Sequence, residues 1–161
     1  MIHNKRAYVD RFGGVYEHSP WVAETAFEMG PPKPLALPAI MREIVENAGQ
    51  KAQLTLLRAH PDLAGKLAKS GALTQESSSE QASAGLDQCS EAEFTEFTTL
   101  NERYKAKFGF PYILAVRGRH RSEILENFRS RIDNNPETEF REALDQVHQI
   151  AALRFEALFN I

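Results

Sequence analysis

Only one stretch of this chain reads as a strand, Tyr112-Ile113-Leu114-Ala115-Val116, and it is five residues long. A single strand cannot make a sheet, because its backbone donors and acceptors need a partner. The core must therefore come from helices, with residues 112–116 as buried extended chain among them. Composition agrees: Ala, Leu and Glu number 52 of 161 residues, against 21 for Val, Ile and Thr. The first set favours helix and the second favours strand. The expectation is an all-α fold, a single-domain bundle over residues 1–161. It should hold about seven to nine helices with one short extended segment.

The helices can be placed by their punctuation. A first amphipathic stretch runs from Lys5 to Phe12 and breaks at Gly13-Gly14. Ser19-Pro20 reads as an N-cap followed by Pro at the first helical position, opening a helix to Met29. Gly30-Pro31-Pro32-Lys33-Pro34 is a stiff connector that cannot be helix interior. Too few residues precede it for a separate core, so it is a loop within the domain. Helices follow over residues 38–49 and 51–59, the second stopped by Pro61, which disfavours helical backbone at His60. Asp62 can cap a short helix through Leu67, ended by Ser70-Gly71. Ser77-x-x-Glu80 and Ser90-x-x-Glu93 both fit capping boxes. The second opens a helix with Phe94, Phe97, Leu100 and Tyr104 on one stripe, ended by Gly109 and Pro111. Residues 121–132 form a further helix, and Asn135-Pro136 starts a last one that reaches Phe159.

Several function classes are disfavoured at once. A net charge of −3 argues against a nucleic-acid binder. No apolar run is long enough for a membrane span, and the N-terminus lacks the apolar core of a secretion signal. One cysteine, Cys89, excludes an intrachain disulfide and a multi-cysteine zinc site. The histidines His3, His18, His60, His120 and His148 show no metal-ligand spacing, so no metal is expected. Cys89 has no nucleophile signature around it. The basic run Arg117-Gly118-Arg119-His120-Arg121 reads as a solvated loop, too short for nucleic acid.

The last helix carries a charge in the wrong place. Phe140, Leu144, Val147, Ala151 and Leu158 share one face, and Arg154 falls on it. A buried guanidinium needs an acceptor. Arg154 either pairs with a buried carboxylate or a helix-terminal carbonyl, or faces a pocket and binds an anion, a task that suits its planar fork. His60 ends its helix on the face of Leu56 and Leu57. It is either a satisfied core residue or a proton-transfer group near neutral pH. Glu80 has its place in the capping box as its simplest role.

Longer motifs add to this. They are Phe12-Gly13-Gly14-Val15-Tyr16-Glu17-His18-Ser19-Pro20-Trp21, Leu57-Arg58-Ala59-His60-Pro61-Asp62-Leu63, Ser77-Ser78-Ser79-Glu80-Gln81 with Ala84-Gly85-Leu86, and Asn101-Glu102-Arg103-Tyr104. The most specific is the run from Lys107 through Phe108-Gly109-Phe110-Pro111-Tyr112 to Arg119. With these motifs in this order, the chain resembles the 2-oxo-4-hydroxy-4-carboxy-5-ureidoimidazoline (OHCU) decarboxylases of uric acid degradation over nearly its whole length.

The resemblance implies an all-helical, cofactor-free, usually homodimeric enzyme that converts OHCU to (S)-allantoin and CO2. It implies catalytic roles for His60, Glu80 and Arg154. It also implies a substrate pocket at Pro61, at Ser77, Ser78, Ser79, Glu80 and Gln81, and at Tyr112, Ile113, Leu114, Ala115 and Val116. Tyr112 stands where many relatives carry Phe. The expected partner is the small-molecule ureide substrate, with no nucleic acid and no membrane. The C-terminus Phe159-Asn160-Ile161 is not a peroxisomal address, so a cytoplasmic protein is expected. Two other classes remain open at this point: a metal-dependent hydrolase of the same pathway, and a helical binding module without activity.

Overall fold

The computed structural model describes residues 4–65 and 73–159, and among them every regular element is helical. The α-helices are α1 (Lys5–Phe12), α2 (Trp21–Glu28), α3 (Leu37–Asn47), α4 (Gln50–Arg58), α5 (Gln75–Ser83), α6 (Glu91–Phe108), α7 (Arg121–Arg131) and α8 (Pro136–Phe159). Short 3-10 turns precede α3, at Pro34–Ala36, and follow α5, at Leu86–Gln88. Residues 111–116 belong to neither helix nor strand and are buried throughout. The all-α expectation holds, and the strand-like run stays out of any sheet. No described helix is long and apolar enough to cross a membrane.

The chain divides into two compact units, residues 1–59 with 147–161 and residues 60–146. In the first, α1 packs on α2, α2 on α3 and α3 on α4. Phe12 at the end of α1 meets Phe155 and Phe159 of α8, at ring separations of 6.4 and 6.1 Å. The Pro-rich connector lies inside this unit. Gly13 is required where it stands. Its N–H reaches the Val9 carbonyl at 2.6 Å, and a Cβ there would lie 2.5 Å from that oxygen.

Leu, Ala and Phe dominate the buried apolar residues of the second unit, and two tyrosines tie its aromatic cluster together. Tyr104 of α6 sits among Phe108, Phe110, Tyr112 and Phe128, with ring centroids 4.5 to 5.8 Å away. Tyr112 lies flat on Phe128 of α7, centroids 3.8 Å apart. Phe97, Leu100 and Tyr104 line the buried stripe of α6, and Asn101 joins them.

Two boundaries differ from the sequence reading, and a third expected helix lies largely outside the described residues. Ser19 does not cap α2; its hydroxyl donates to the Glu17 carbonyl at 2.9 Å, so it shapes the preceding turn instead. Ser77-x-x-Glu80 is not a capping box either. Thr74 caps α5 by accepting the Ser77 N–H, which places Ser77 and Glu80 inside the helix. Thr74 is itself a good capping residue and comes first along the chain. The expected helix through Leu67 begins with turn residues up to Gly65 and otherwise lies outside the described residues, as do Ser70 and Gly71.

The Ser90 capping box is present as expected. The Ser90 hydroxyl accepts the Glu93 N–H at 3.1 Å, and the Glu93 carboxylate accepts the Ser90 N–H at 2.9 Å. That backbone bond and then the Arg121 guanidinium hold the Glu93 carboxyl below the usual carboxylate range. Gly109 closes the other end of α6 in the left-handed region at φ 80°. Ser90→Ala should cost about 1 kcal/mol. A thermal melt followed by circular dichroism should show the midpoint falling by roughly 2–4 °C.

Candidate active site

His60 follows α4 after its C-cap Ala59, and it is 8% exposed. Pro61 next to it is half-buried. The residues that follow are tied down by long polar side chains. Gln81 of α5 accepts the Ala64 N–H at 2.9 Å and donates to the Asp62 carbonyl at 3.2 Å. Asn101 of α6 donates to the Leu63 carbonyl at 3.0 Å, and Lys105 pairs with Asp62 at 2.8 Å. Ala64 is held at φ 53°, a backbone state that L-residues seldom adopt without such support. The chain leaving His60 is thus fixed in place by two helices of its own unit.

The face that α5 buries follows from helical spacing. Ser77 and Gln81, one turn apart, are 5% and 3% exposed. Glu80 is half-buried beside them, while Ser78 and Ser79 are exposed. The Ser77–Gln81 stretch therefore presents Ser77, Glu80 and Gln81 inward or sideways, and Ser78 and Ser79 outward.

Residues Tyr112 to Val116 are all buried. Side chains satisfy part of their backbone. Arg131 of α7 donates to the Ile113 carbonyl at 2.6 Å, and Gln146 of α8 accepts the Ala115 N–H at 2.9 Å. The Val116 carbonyl accepts the Arg119 N–H at 3.0 Å. Among the described residues, the N–H and C=O of Leu114 meet no protein partner.

Arg154 lies in the first unit, 6% exposed. It donates to the Gly14 carbonyl at 2.9 Å, and its other terminal nitrogen is 3.5 Å from the carboxylate of Glu17, which is 2% exposed. Glu17 is the buried carboxylate that one of the two sequence readings asked for. The same turn is held a second time, since Tyr16 Oη and His148 Nδ1 share a hydrogen bond of 2.9 Å. Burial pushes the Tyr16 hydroxyl well above its ordinary range, so it stays a neutral partner.

Comparison with known proteins then decides the family. A family model described as OHCU decarboxylase matches residues 3–156. The chain belongs to the OHCU decarboxylase family. It is 44% identical over 155 residues to the OHCU decarboxylase of Haloferax volcanii, covering 96% of this chain and 90% of that one. A crystal structure of an (S)-allantoin synthase superposes with a TM-score of 0.75 at 32% identity, over 96% of this chain and 50% of that one. A crystal structure of an OHCU decarboxylase in the presence of (S)-allantoin gives 0.72 at 27% identity, over 88% and 92%.

The sequence reading of this OHCU decarboxylase family member missed a buried ionic cluster. Arg131 and Glu139, 5% and 0% exposed, pair at 3.0 Å. Glu139 also accepts from Asn134 at 2.9 Å and from the Tyr104 hydroxyl in a short bond. The Arg131 guanidinium lies 4.6 Å over the Tyr112 ring. Burial opposes the guanidinium's charge, but the bonds to Glu139 outweigh it, and its pKa rises. Burial, then the Glu139 carboxylate, keeps the Tyr104 hydroxyl protonated far above its ordinary range. A signal existed: Glu139, Ala143, Gln146 and Ile150 recur at helical spacing, as do Ile124, Phe128 and Arg131. The rule that singled out Arg154 applies equally to these three polar residues. Glu139→Gln leaves Arg131 buried without its counter-charge and should cost about 3–5 kcal/mol. Urea unfolding should show a lowered midpoint with an unchanged slope. A loss below about 1 kcal/mol would mean that Arg131 finds another counter-charge.

Proposed function

We propose that this protein decarboxylates OHCU to (S)-allantoin in uric acid degradation, with His60, Glu80 and Arg154 as the groups that act on the substrate. The observation that carries the reading is the OHCU decarboxylase match over residues 3–156. All the residues that the resemblance implies are present within that span.

The chemistry suits ordinary side chains. The substrate's carboxylate sits one carbon from a ring C=N bond. As CO2 leaves, the C–C bond electrons form a ring C=C bond, the C=N π pair passes to the ring nitrogen, and that nitrogen takes up a proton from solvent or a protein acid to give an enol. The hydroxyl then loses its proton as the carbonyl forms, and the neighbouring ring carbon gains one. Because the electron sink belongs to the substrate, the protein's tasks are orientation and proton handling. His60 takes the substrate hydroxyl proton or delivers the proton to carbon, the kind of transfer histidine side chains carry out in general acid–base catalysis. Glu80 orients His60 or accepts from ureido N–H groups. Arg154, already steadied by Glu17 and the Gly14 carbonyl, stabilises developing negative charge or holds an anionic group.

Substrate recognition falls to Pro61, to Ser77 through Gln81, and to the backbone of Tyr112 through Val116. The N–H and C=O of Leu114, buried and unshared among the described residues, supply a donor and an acceptor that match the edge of a hydantoin-like ring. Gln81 spends its amide on the loop after Pro61, so it serves that loop as well as the pocket. The resemblance further supports a cytoplasmic homodimer working without a cofactor.

Freshly generated OHCU decays slowly to racemic allantoin, so circular dichroism separates enzyme from background. The protein should accelerate appearance of the (S) enantiomer. If it gives no acceleration over spontaneous decay, the reading fails. His60→Ala should lose at least about 100-fold in kcat, the scale of one general acid–base group. Its far-ultraviolet spectrum should be unchanged. Near-normal kcat in that variant would return His60 to a structural role.

A further inference from the structure

We propose that Gln146 is a positioning residue for the decarboxylation, together with the Arg131–Glu139 pair. They fix residues 112–116 so that the unshared backbone groups of Leu114 stand ready for the substrate. This rests on the functional reading above.

A segment outside helix and sheet has no ladder to hold it. Residues 112–116 rely on side chains instead, and the two that serve them come from different helices. Arg131 reaches Ile113 from α7, and Gln146 reaches Ala115 from α8, so the contacts bracket Leu114 on both sides in the chain. Neither side chain is left to choose its own position. Glu139 takes Arg131 through both its Nε and a terminal nitrogen, at 3.0 to 3.2 Å. Glu142 accepts from the Gln146 amide at 3.0 Å, which fixes which end of that amide meets Ala115. Arg131 and Gln146 are both 5% exposed, so water offers little competition.

The expected kinetic consequence is specific. Backbone groups that hold the ring edge bind substrate and transition state alike, and loss of such binding raises KM without lowering kcat. A segment that must be ordered at each binding event weakens binding further. A residue needed only for folding would lower the active fraction and leave KM alone.

The test uses the full-length enzyme and three variants: Gln146→Leu, Gln146→Glu, and Gln146→Glu combined with Glu142→Gln. Leucine keeps the bulk and removes the acceptor for Ala115. Glutamate keeps an acceptor but faces Glu142 charge to charge. The double variant restores both contacts, since a Gln at 142 can donate to a Glu at 146. Gln146→Leu should raise KM for OHCU by about tenfold with kcat within about twofold. The double variant should bring KM back to within about twofold of the parent. Amide exchange of Ala115 should speed up in Gln146→Leu and slow again in the double variant.

An active parent enzyme with unchanged KM in Gln146→Leu overturns the positioning role alone. So does a fall in kcat with constant KM, or a double variant that restores neither KM nor Ala115 protection. An inactive parent enzyme overturns the functional reading instead. Ala115 exchange still reports on the clamp in that case.

Discussion

A buried length of backbone that joins neither helix nor sheet must find its hydrogen bonds in side chains, or leave them open for something else. That constraint acts at three places in this protein. In the turn after α1, Arg154 meets the Gly14 carbonyl, and a side-chain bond from Tyr16 to His148 adds a second tether. The loop after Pro61 is held by Gln81 and Asn101. Residues 112–116 are held by Arg131 and Gln146. Each loop receives polar side chains from one or two helices of its own unit, and each belongs to a motif that marks the OHCU decarboxylase resemblance. The helices serve as anchors, and the non-helical pieces are what they anchor.

Such anchoring needs support behind it. A long side chain that ends in a hydrogen bond has rotamer freedom to lose, and burying its polar end is costly unless every group is met. Arg131 would be a poor clamp alone; the Glu139 carboxylate fixes it, and Asn134 and Tyr104 hold that carboxylate in turn. Gln146 has Glu142 behind it. The stacking of Tyr112 on Phe128, with the Arg131 guanidinium over the same tyrosine ring, joins the apolar core to the polar clamp. Tyr104 and Tyr112 each pack a ring and carry a hydroxyl to a polar partner, Glu139 and Asn127, a double task that phenylalanine could not perform.

The helical architecture was legible from the chain because its signals are local. Caps, prolines, glycines and period-3.6 stripes need only a few neighbouring residues, and α1, α3, α4, α6, α7 and α8 fall within one to two residues of where they read. The misplaced cap at Ser77 shows the limit of that approach. Thr74 and Ser77 offer the same hydroxyl chemistry, and nothing in the pattern ranks them. The displaced charge at Arg154 was legible as well, though its partner Glu17 lies 137 residues away and no periodicity links the two. Arg131, Glu139 and Gln146 were overlooked for a related reason. Polar residues on buried stripes stand out only when each is checked against its own turn, and a charged helix such as α7 offers many candidates. The pattern left His60 open between a core residue and a proton-transfer group and gave Glu80 only a capping place; the roles proposed for both come from the resemblance.

These features fit the demands of the reaction. When the substrate carries its own electron sink, little activation is left for the protein to provide. What remains is selectivity, since the intermediate must take its proton on one face of the ring to give one enantiomer. Facial selectivity depends on how the ring is oriented toward the group that delivers its proton. A central strand would hold such a backbone by using up its donors and acceptors on both neighbours. Side-chain clamps at Ile113 and Ala115 hold the same backbone while leaving Leu114 between them unspent among the described residues. An isolated segment gripped from two helices thus keeps backbone groups unspent that a central strand would pair.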